Sequence, residues 1–342
     1  MGLQISEIVP RKAIQFSDLK GKVIAVDASN IIYQFLSTIR QPDGTPLKDK
    51  QGRITSHLSG LFYRNINLLQ EGLKLVYVFD GEMPELKKKT IEKRLETKAQ
   101  AQEKYEHALS EEDLEAMRKY SQQLTHLTPE IKQESIELLE AMGIQCIQAP
   151  GEAEAQAAYM AKKQLAWASA SQDYDSLAFG APRLIQNLTL ARKRKTPTGF
   201  VYISPELIEL EQVLNSLQIN LDQLICLAIL CGTDYNPGGV KGIGPKKGLE
   251  IVRKYKEPYL IFKSVEDKIK KQEEEGKGFN WQEIFPLFKQ PNVEDIEIKF
   301  PKLNESKIKE ILLEHDFSEE RINSALDKLK EAKEQQKQKT LF

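Results

Sequence analysis

The chain has 342 residues, of which 49 are basic and 50 acidic, so a formal net charge of -1 leaves any attraction for a polyanion to local segregation of charge. That length gives room for two or three average domains, or for one large α/β unit with a sizeable core. Three cysteines, Cys146, Cys226 and Cys231, are too few and too irregularly spaced for a disulfide framework or a four-ligand zinc site, which reads as a reducing, intracellular setting.

At the start, "MGLQIS" formally fits an N-myristoylation pattern through Gly2 and Ser6, but no basic cluster adjoins it. No apolar run approaches the roughly 20 residues needed to span a bilayer and no signal-peptide pattern is present, so the expectation is a soluble protein without a membrane partner. "KVIAVDAS" and "KLVYVFDG" are β-rich apolar runs that each end in an aspartate and are followed by a helical pattern. They predict buried parallel strands. Further strands are expected at "GIQCIQAP" (Gly143 to Pro150) and "AWASAS" (Ala166 to Ser171), with the helix-like "EAEAQAAYMAKK" between them. Alternation of strand and helix predicts an α/β fold with a mostly parallel central sheet flanked by helices.

Between Pro84 and about Pro129 the chain becomes rich in Lys, Glu, Gln and Ala, with no internal proline or glycine. This predicts exposed helix, either a solvated hairpin of paired charges or a cap. From Pro258 to Lys330 a mixed, mostly helical pattern follows, and "EAKEQQKQKTLF" reads as a polar tail.

In an open parallel sheet, ligands bind beyond the carboxyl ends of the strands. Asp27 and Asp80 fall at such ends, Glu152 and Glu154 follow the third strand, and Asp173 and Asp175 follow the fourth. Asp234, in "LCGTDYNPGG", adds a seventh carboxylate after an apolar helical run. Crowded like charges raise one another's pKa and repel, so such a rim is stable and ionised only with cations present. An all-oxygen donor set points to Mg2+ or Mn2+, and two such ions suit phosphodiester hydrolysis. Each residue also has a structural reading: Asp27 or Ser29 as a helix cap, Asp80-Gly81 as a turn, Glu152 and Glu154 as first-turn acids. Residues two apart do not share a helix face, so both glutamates reach one site only if that first turn is irregular.

"VKGIGPKKGLEIVRKY" places Gly242 and Gly244 around one apolar residue, Pro245 at a helix start, then Lys246 and Lys247. Glycines allow close backbone approach, and free amides at a helix start attract phosphate. Lys87 and Arg94 lie seven apart, two helical turns, and project from one face to meet a scissile phosphate or simply solvent. Tyr33, six residues past Asp27, can stack a base or belong to the core.

Together, "VDASNIIYQFLSTIRQ", "YVFDGEMPELKKKTIEKR", "APGEAEAQAAYMA", "ASQDYDSLAFGAPRL" and "CGTDYNPGGVKGIGPKK" resemble, in order, the structure-specific 5′ nucleases and specifically the archaeal flap endonucleases. The resemblance covers essentially the whole chain. It implies a PIN-like nuclease core with a helical arch and a helix-hairpin-helix DNA-binding motif. The implied division is a nuclease region at 1–98 that includes the start of the arch, the remainder of the arch at 99–130, and an internal nuclease region at 131–258 with the hairpin motif at about 225–256. A C-terminal helical region at 259–330 and a tail at 331–342 complete it.

By the same resemblance, Asp27, Asp80, Glu152, Glu154, Asp173, Asp175 and Asp234 are ligands of two Mg2+ ions, with Mn2+ able to substitute. Lys87 and Arg94, with Asp80 and Asp173, are catalytic, and Tyr33 is the stacking aromatic. Arg40, Arg64, Glu152, Gly232, Asp234, Gly242, Gly244, Lys246 and Lys247 lie near DNA, with a monovalent cation at the glycine hairpin. Thr55 to Arg64 resembles part of a pocket for a one-nucleotide 3′ flap, and Gly2 becomes the mature N-terminus. The implied activity is removal of displaced 5′ flaps, with 5′–3′ exonuclease activity, in Okazaki-fragment maturation and base-excision repair. A monomer in an archaeal cytoplasm, near the nucleoid, is the corresponding setting. Two departures stand out. Gly151 occupies a position where many members have serine. Gln338, Leu341 and Phe342 have the spacing of a sliding-clamp motif that stops before its usual aromatic pair. The competing readings are a general single-strand nuclease or ribonuclease on the same acidic core, and a non-catalytic DNA-binding scaffold.

Overall fold

The computed structural model describes residues 3–111, 113–124, 126–190, 193–196 and 199–339, and of these the side chains of 88–98, 114, 118, 122–123, 193–196, 200–201 and 332–339 are not described. Strand β1 (Lys12–Ala13) leads to β2 (Val23–Asp27), helices α1 (Ala28–Thr38) and α2 (Ser56–Gln70), and β3 (Lys74–Phe79). Two charged helices, α3 (Glu85–Ser110) and α4 (Leu114–Gln123), precede α5 (Pro129–Ala141) and β4 (Gln145–Gln148). Next come α6 (Ala153–Lys162), β5 (Ala168–Ala170), the short α7 (Asp175–Ala178) and β6 (Arg183–Gln186). A ribbon of β7 (Lys193–Thr196) and β8 (Gly199–Tyr202) precedes β9 (Glu206–Glu209). The remainder is helical: α8 (Leu210–Leu217), α9 (Leu221–Cys231), α10 (Pro245–Tyr255), α11 (Pro258–Lys263), α12 (Glu266–Glu274), α13 (Trp281–Lys289), α14 (Glu305–Glu314) and α15 (Glu319–Lys339).

The seven-stranded sheet has the order β1-β9-β6-β5-β2-β3-β4. β6, β5, β2, β3 and β4 are parallel neighbours, while β9 and β1 add an antiparallel edge. From β2 the chain builds outward through β3 and β4, then returns to the other side of β2 with β5 and β6. The order therefore reverses between β2 and β5, which is where an open α/β sheet leaves a crevice for ligands.

Period-two burial explains the layers. Ile24, Val26, Leu75, Tyr77 and Phe79 face one core with α1, α2 and α5, whereas Ala25, Val76 and Val78 face α6. Ala153 and Ala157 carry so little side chain that α6 lies close on that second face. A further core surrounds α9, whose Leu224 to Leu230 are buried. No single helix among the described residues is long and apolar enough to cross a membrane.

The expected division of the chain runs through elements and not between them. The 98/99 boundary cuts α3, 258/259 cuts α11, and 330/331 cuts α15, which continues to Lys339 where a tail was expected. Glu, Lys, Gln and Ala are good helix formers and nothing breaks the run. The C-terminal helices join the first core: Ile308, Leu312, Ile322, Leu326 and Leu329 share one cluster with β2 and β3.

Candidate active site

Asp27 is both the last residue of β2 and the N-cap of α1, its Oδ1 accepting from the Asn30 amide at 3.0 Å. Asp80 follows β3, and its Oδ1 accepts from the Ala153 amide at 2.9 Å, which fixes the end of β3 to the start of α6. Gly81 makes that turn possible, since a Cβ there would lie 1.8 Å from the Ala149 carbonyl oxygen. Glu152 is the N-cap of α6, with φ -80° and ψ 138°, and Glu154 lies in the first turn. The difficulty of two glutamates two apart is removed because Glu152 stands outside the helix. Its Oε2 accepts from the Tyr235 hydroxyl, and Glu154 Oε1 accepts from Ser171 Oγ at 2.7 Å.

Asp173 Oδ2 accepts from Asn30 Nδ2 at 3.1 Å. Asp175 opens α7 and accepts from the Leu3 amide at 3.1 Å, a bond that brings the N-terminal segment under the rim. Asp234, three residues beyond α9, lies 3.7 Å from Lys87 Nζ, and the same ammonium pairs with Glu152. The base of α3 thus supplies a cation among the carboxylates.

Burial, then Asp80 and Asp173, push the Asp27 carboxyl up to about 8. Burial, then Asp173 and Asp234, raise Asp175 to about 7, and burial followed by Asp175, Asp27 and Asp173 pushes Glu154 well above the carboxylate range. These mutual effects place carboxylates from different strand ends within one electrostatic neighbourhood. Among the described residues, however, no three His, Cys, Asp or Glu side chains stand closely enough round one point to hold an ion as placed. Asp27, Asp80, Glu152, Glu154, Asp173 and Asp175 are each drawn to a donor of the chain itself. The donor set, all carboxylate oxygen under mutual repulsion, fits a hard divalent cation in its chemistry.

Other expected positions separate into three groups. Tyr33 lies on the outer side of α1 at 45% exposure, which removes the core alternative. Arg40 is engaged by its own chain, donating to the Ser37 carbonyl and, at 2.7 Å each, to the Gly44 carbonyl and Ser121 Oγ, so it ties the end of α1 to α4. Arg64 is partly buried on α2, in the segment from Thr55 onward that was expected to form a 3′ pocket. Gly232 has φ 107° and no room for a Cβ, which would meet the Gly239 nitrogen at 2.7 Å. At the hairpin, Gly242 takes φ 78°, Gly244 is the N-cap of α10 and Pro245 its first residue. Lys246 and Lys247 are exposed there, Lys246 Nζ being 3.5 Å from Glu7. Arg94 belongs to α3 and Gln338 to α15, but their side chains lie outside the described residues, as do Gly2, Leu341 and Phe342 altogether. Sequence reasoning passed over Asn30, Ser171, Tyr235 and the Leu3 amide. Asn30 alone left a signal, an Asn in the first turn of a helix, where that side chain competes for local polar groups.

Residues 3–101 match the family described as XPG N-terminal domain, and residues 143–234 match the XPG I-region. Those two regions carry the acidic rim, so the class is that of the XPG nucleases. The flap endonuclease 1 of Pyrococcus furiosus is 54% identical over 345 residues, covering 100% of this chain and 98% of that one. The structure of flap endonuclease-1 from Methanococcus jannaschii superposes with a TM-score of 0.74 at 42% identity, covering 97% of this chain and 98% of that one. The catalytic core of Rad2, in complex with its DNA substrate, shares the fold with a TM-score of 0.70 at 23% identity, covering 96% of this chain and 100% of that one. The chain belongs to the flap endonuclease 1 family and is a structure-specific flap endonuclease, a hydrolase acting on DNA.

Proposed function

We propose that the chain cuts branched DNA at the base of a 5′ flap, in a Mg2+-dependent reaction at the acidic rim. Asp27, Asp80, Glu152, Glu154, Asp173, Asp175 and Asp234 hold two ions per molecule, and Mn2+ can take their place. The observation that carries this reading is the gathering of these carboxylates around the β2/β5 switch point, where three of them are pushed toward the protonated form by burial and by one another. When bound, the ions supply Lewis-acid charge to the phosphoryl group and lower the pKa of an attacking water.

The chain's own groups bind, orient and exclude. Lys87, between Glu152 and Asp234, offers its ammonium to the scissile phosphate as DNA enters, and Arg94, two turns along α3, adds a second charge. Tyr33 presents its exposed ring to a terminal base. The Gly242–Lys247 turn holds a duplex phosphate with free amides and two lysines, aided by a monovalent cation, while Arg40, Arg64 and Gly232 flank the DNA. α3 and α4 form the arch that admits a single strand. Selection is by shape, without base readout. A 5′–3′ exonuclease activity shares the site, and flap removal serves Okazaki-fragment maturation and base-excision repair in the archaeal cytoplasm. The protein acts as a monomer and meets a sliding clamp through Gln338, Leu341 and Phe342.

The test is cleavage of an end-labelled double-flap DNA beside plain single strand and blunt duplex, in Mg2+ and in EDTA. One Mg2+-dependent cut near the flap base, absent from the controls, is expected. Equal degradation of all three substrates sinks shape selection and favours a general nuclease, and cutting in EDTA sinks the metal assignment.

A further inference from the structure

We infer that Asn30 is a positioning residue that sets the span between Asp27 and Asp173 across the switch point. This rests on the two-ion reading above. β2 and β5 are direct neighbours, pairing Val26 with Ala170, and each ends in a segment that carries a carboxylate of the rim. The direct β2–β5 pairing stops at Val26 and Ala170; Ser171 Oγ accepts from the Asp173 amide at 3.2 Å, but the bond that spans the two carboxylates comes from elsewhere. Asn30 supplies it, with three bonds in all. Its backbone amide, one of the unpaired donors of the first turn of α1, donates to Asp27 Oδ1 at 3.0 Å. Its side-chain Nδ2 donates to Asp173 Oδ2 at 3.1 Å, and its Oδ1 accepts from the Gln172 amide at 3.2 Å.

The chemistry requires a primary amide. One end must donate to a carboxylate while the other accepts from a peptide N–H, and the reach must match the first turn of a helix. The far side of the β5 loop is held as well, because Gln186 Nε2 donates to the Gln172 carbonyl at 2.7 Å. Gln172 is thus gripped from α1 and from β6, and Asp173 follows it directly. Asn30 is partly buried and touches carboxylates without being one, so its effect falls on how well the pair is preorganised.

The test uses the full chain with Asn30→Ala and Asn30→Leu, the second filling the site without hydrogen bonds. Mn2+ binding to the metal-free protein is measured by titration calorimetry, and double-flap cleavage is followed as a function of Mg2+. Both variants are expected to weaken Mn2+ binding and raise the half-saturating Mg2+ by about tenfold. The rate at saturating Mg2+ and the affinity for the DNA in EDTA stay near the native values. Asn30→Gln, which keeps an amide, is expected to recover part of the loss, and it stands in where either variant fails to fold. Native Mn2+ affinity and Mg2+ dependence in the folded variants would overturn the assignment, as would a rate loss that no Mg2+ concentration repairs. If the native chain itself binds no Mn2+ and cuts in EDTA, the two-ion reading has failed, a result distinct from failure of Asn30 alone.

Discussion

At the scale of single residues, the acidic rim shows one side chain carrying two duties. Asp27 caps α1, as its place before a helix predicts, and also feels the charge of Asp80 and Asp173. Capping uses one oxygen and positions the group, so the structural and functional readings reinforce each other. The raised pKa values of Asp27 and Asp175, about 8 and about 7 against an ordinary 3.8, have a definite sign in linkage. The folded chain holds protons on these two carboxyls that the unfolded chain has released, so their contribution to metal-free stability is fullest below about pH 4 and is lost as pH rises toward about 8. On the two-ion reading proposed above, a divalent cation would replace those protons and reverse the trend. Melting temperature in EDTA is expected to fall between about pH 5 and about pH 8, with the gain from excess Mg2+ widening over the same range. Asp27→Asn should flatten the metal-free slope. Calorimetry at a series of pH values checks this, and a flat native profile would contradict it.

Among the elements, α3 and α4 pack together as a hairpin, and among the described side chains Ala101, Ala108 and Met117 are the buried apolar ones. The hairpin is tied to the rest of the molecule at its two ends. Lys87 fixes the start of α3 to Glu152, and Ser121 receives Arg40 near the end of α4. The glycine turn before α10 is a different kind of element, with its lysines directed outward and its backbone shaped by Gly242. Replacing Lys246 and Lys247 together by Ala is expected to weaken duplex binding and lower the slope of log affinity against log salt by about 2. The single-turnover rate at saturating DNA should hardly change. Fluorescence anisotropy over a salt series measures the first, rapid-quench cleavage the second, and an unaltered slope would remove the turn from the DNA interface.

At the scale of the molecule, the C-terminal helices close the core that the first strands begin. Arg53 bridges Asp49 at 2.7 Å and Glu314 at 2.8 Å, while buried His315 meets Asp49 at 3.2 Å. Glu134 on α5 joins both sides, 2.8 Å from His57 and 3.6 Å from His315. α2, α5 and α14 are thereby locked around the segment from Asp49 to His57. Truncation after residue 303 removes Leu312, Leu326 and Leu329 from the core, at about 1.5–3 kcal/mol each, and is expected to leave the protein unfolded. Truncation after residue 330 keeps all three. Its melting temperature should stay within a few degrees of native, with cleavage intact and binding to an archaeal sliding clamp lost. Calorimetry and clamp titration decide the matter, and retained clamp binding would reject the tail motif.

Much of this was legible because it is local. A β-branched run ending in aspartate is a buried strand with a carboxylate at its tip, and a proline-free stretch of Lys, Glu and Gln is exposed helix whatever surrounds it. Two glycines, a proline and two lysines likewise specify a turn into a helix start. Strands β1, β6 and β9 left no such mark: β4 and β5 are as short but lie in small or apolar runs beside a helical pattern, whereas β1, β6 and β9 are short runs mixed with charged or polar residues and are made strands by their neighbours. What only the tertiary structure decided is which strand ends are adjacent. The order of the sheet puts Asp27 beside Asp173, and a bond across 172 residues places Asp175 on the Leu3 amide. The backbone of Glu152 frees it from the helix that holds Glu154. These depend on register and long-range packing, which no short stretch of sequence contains.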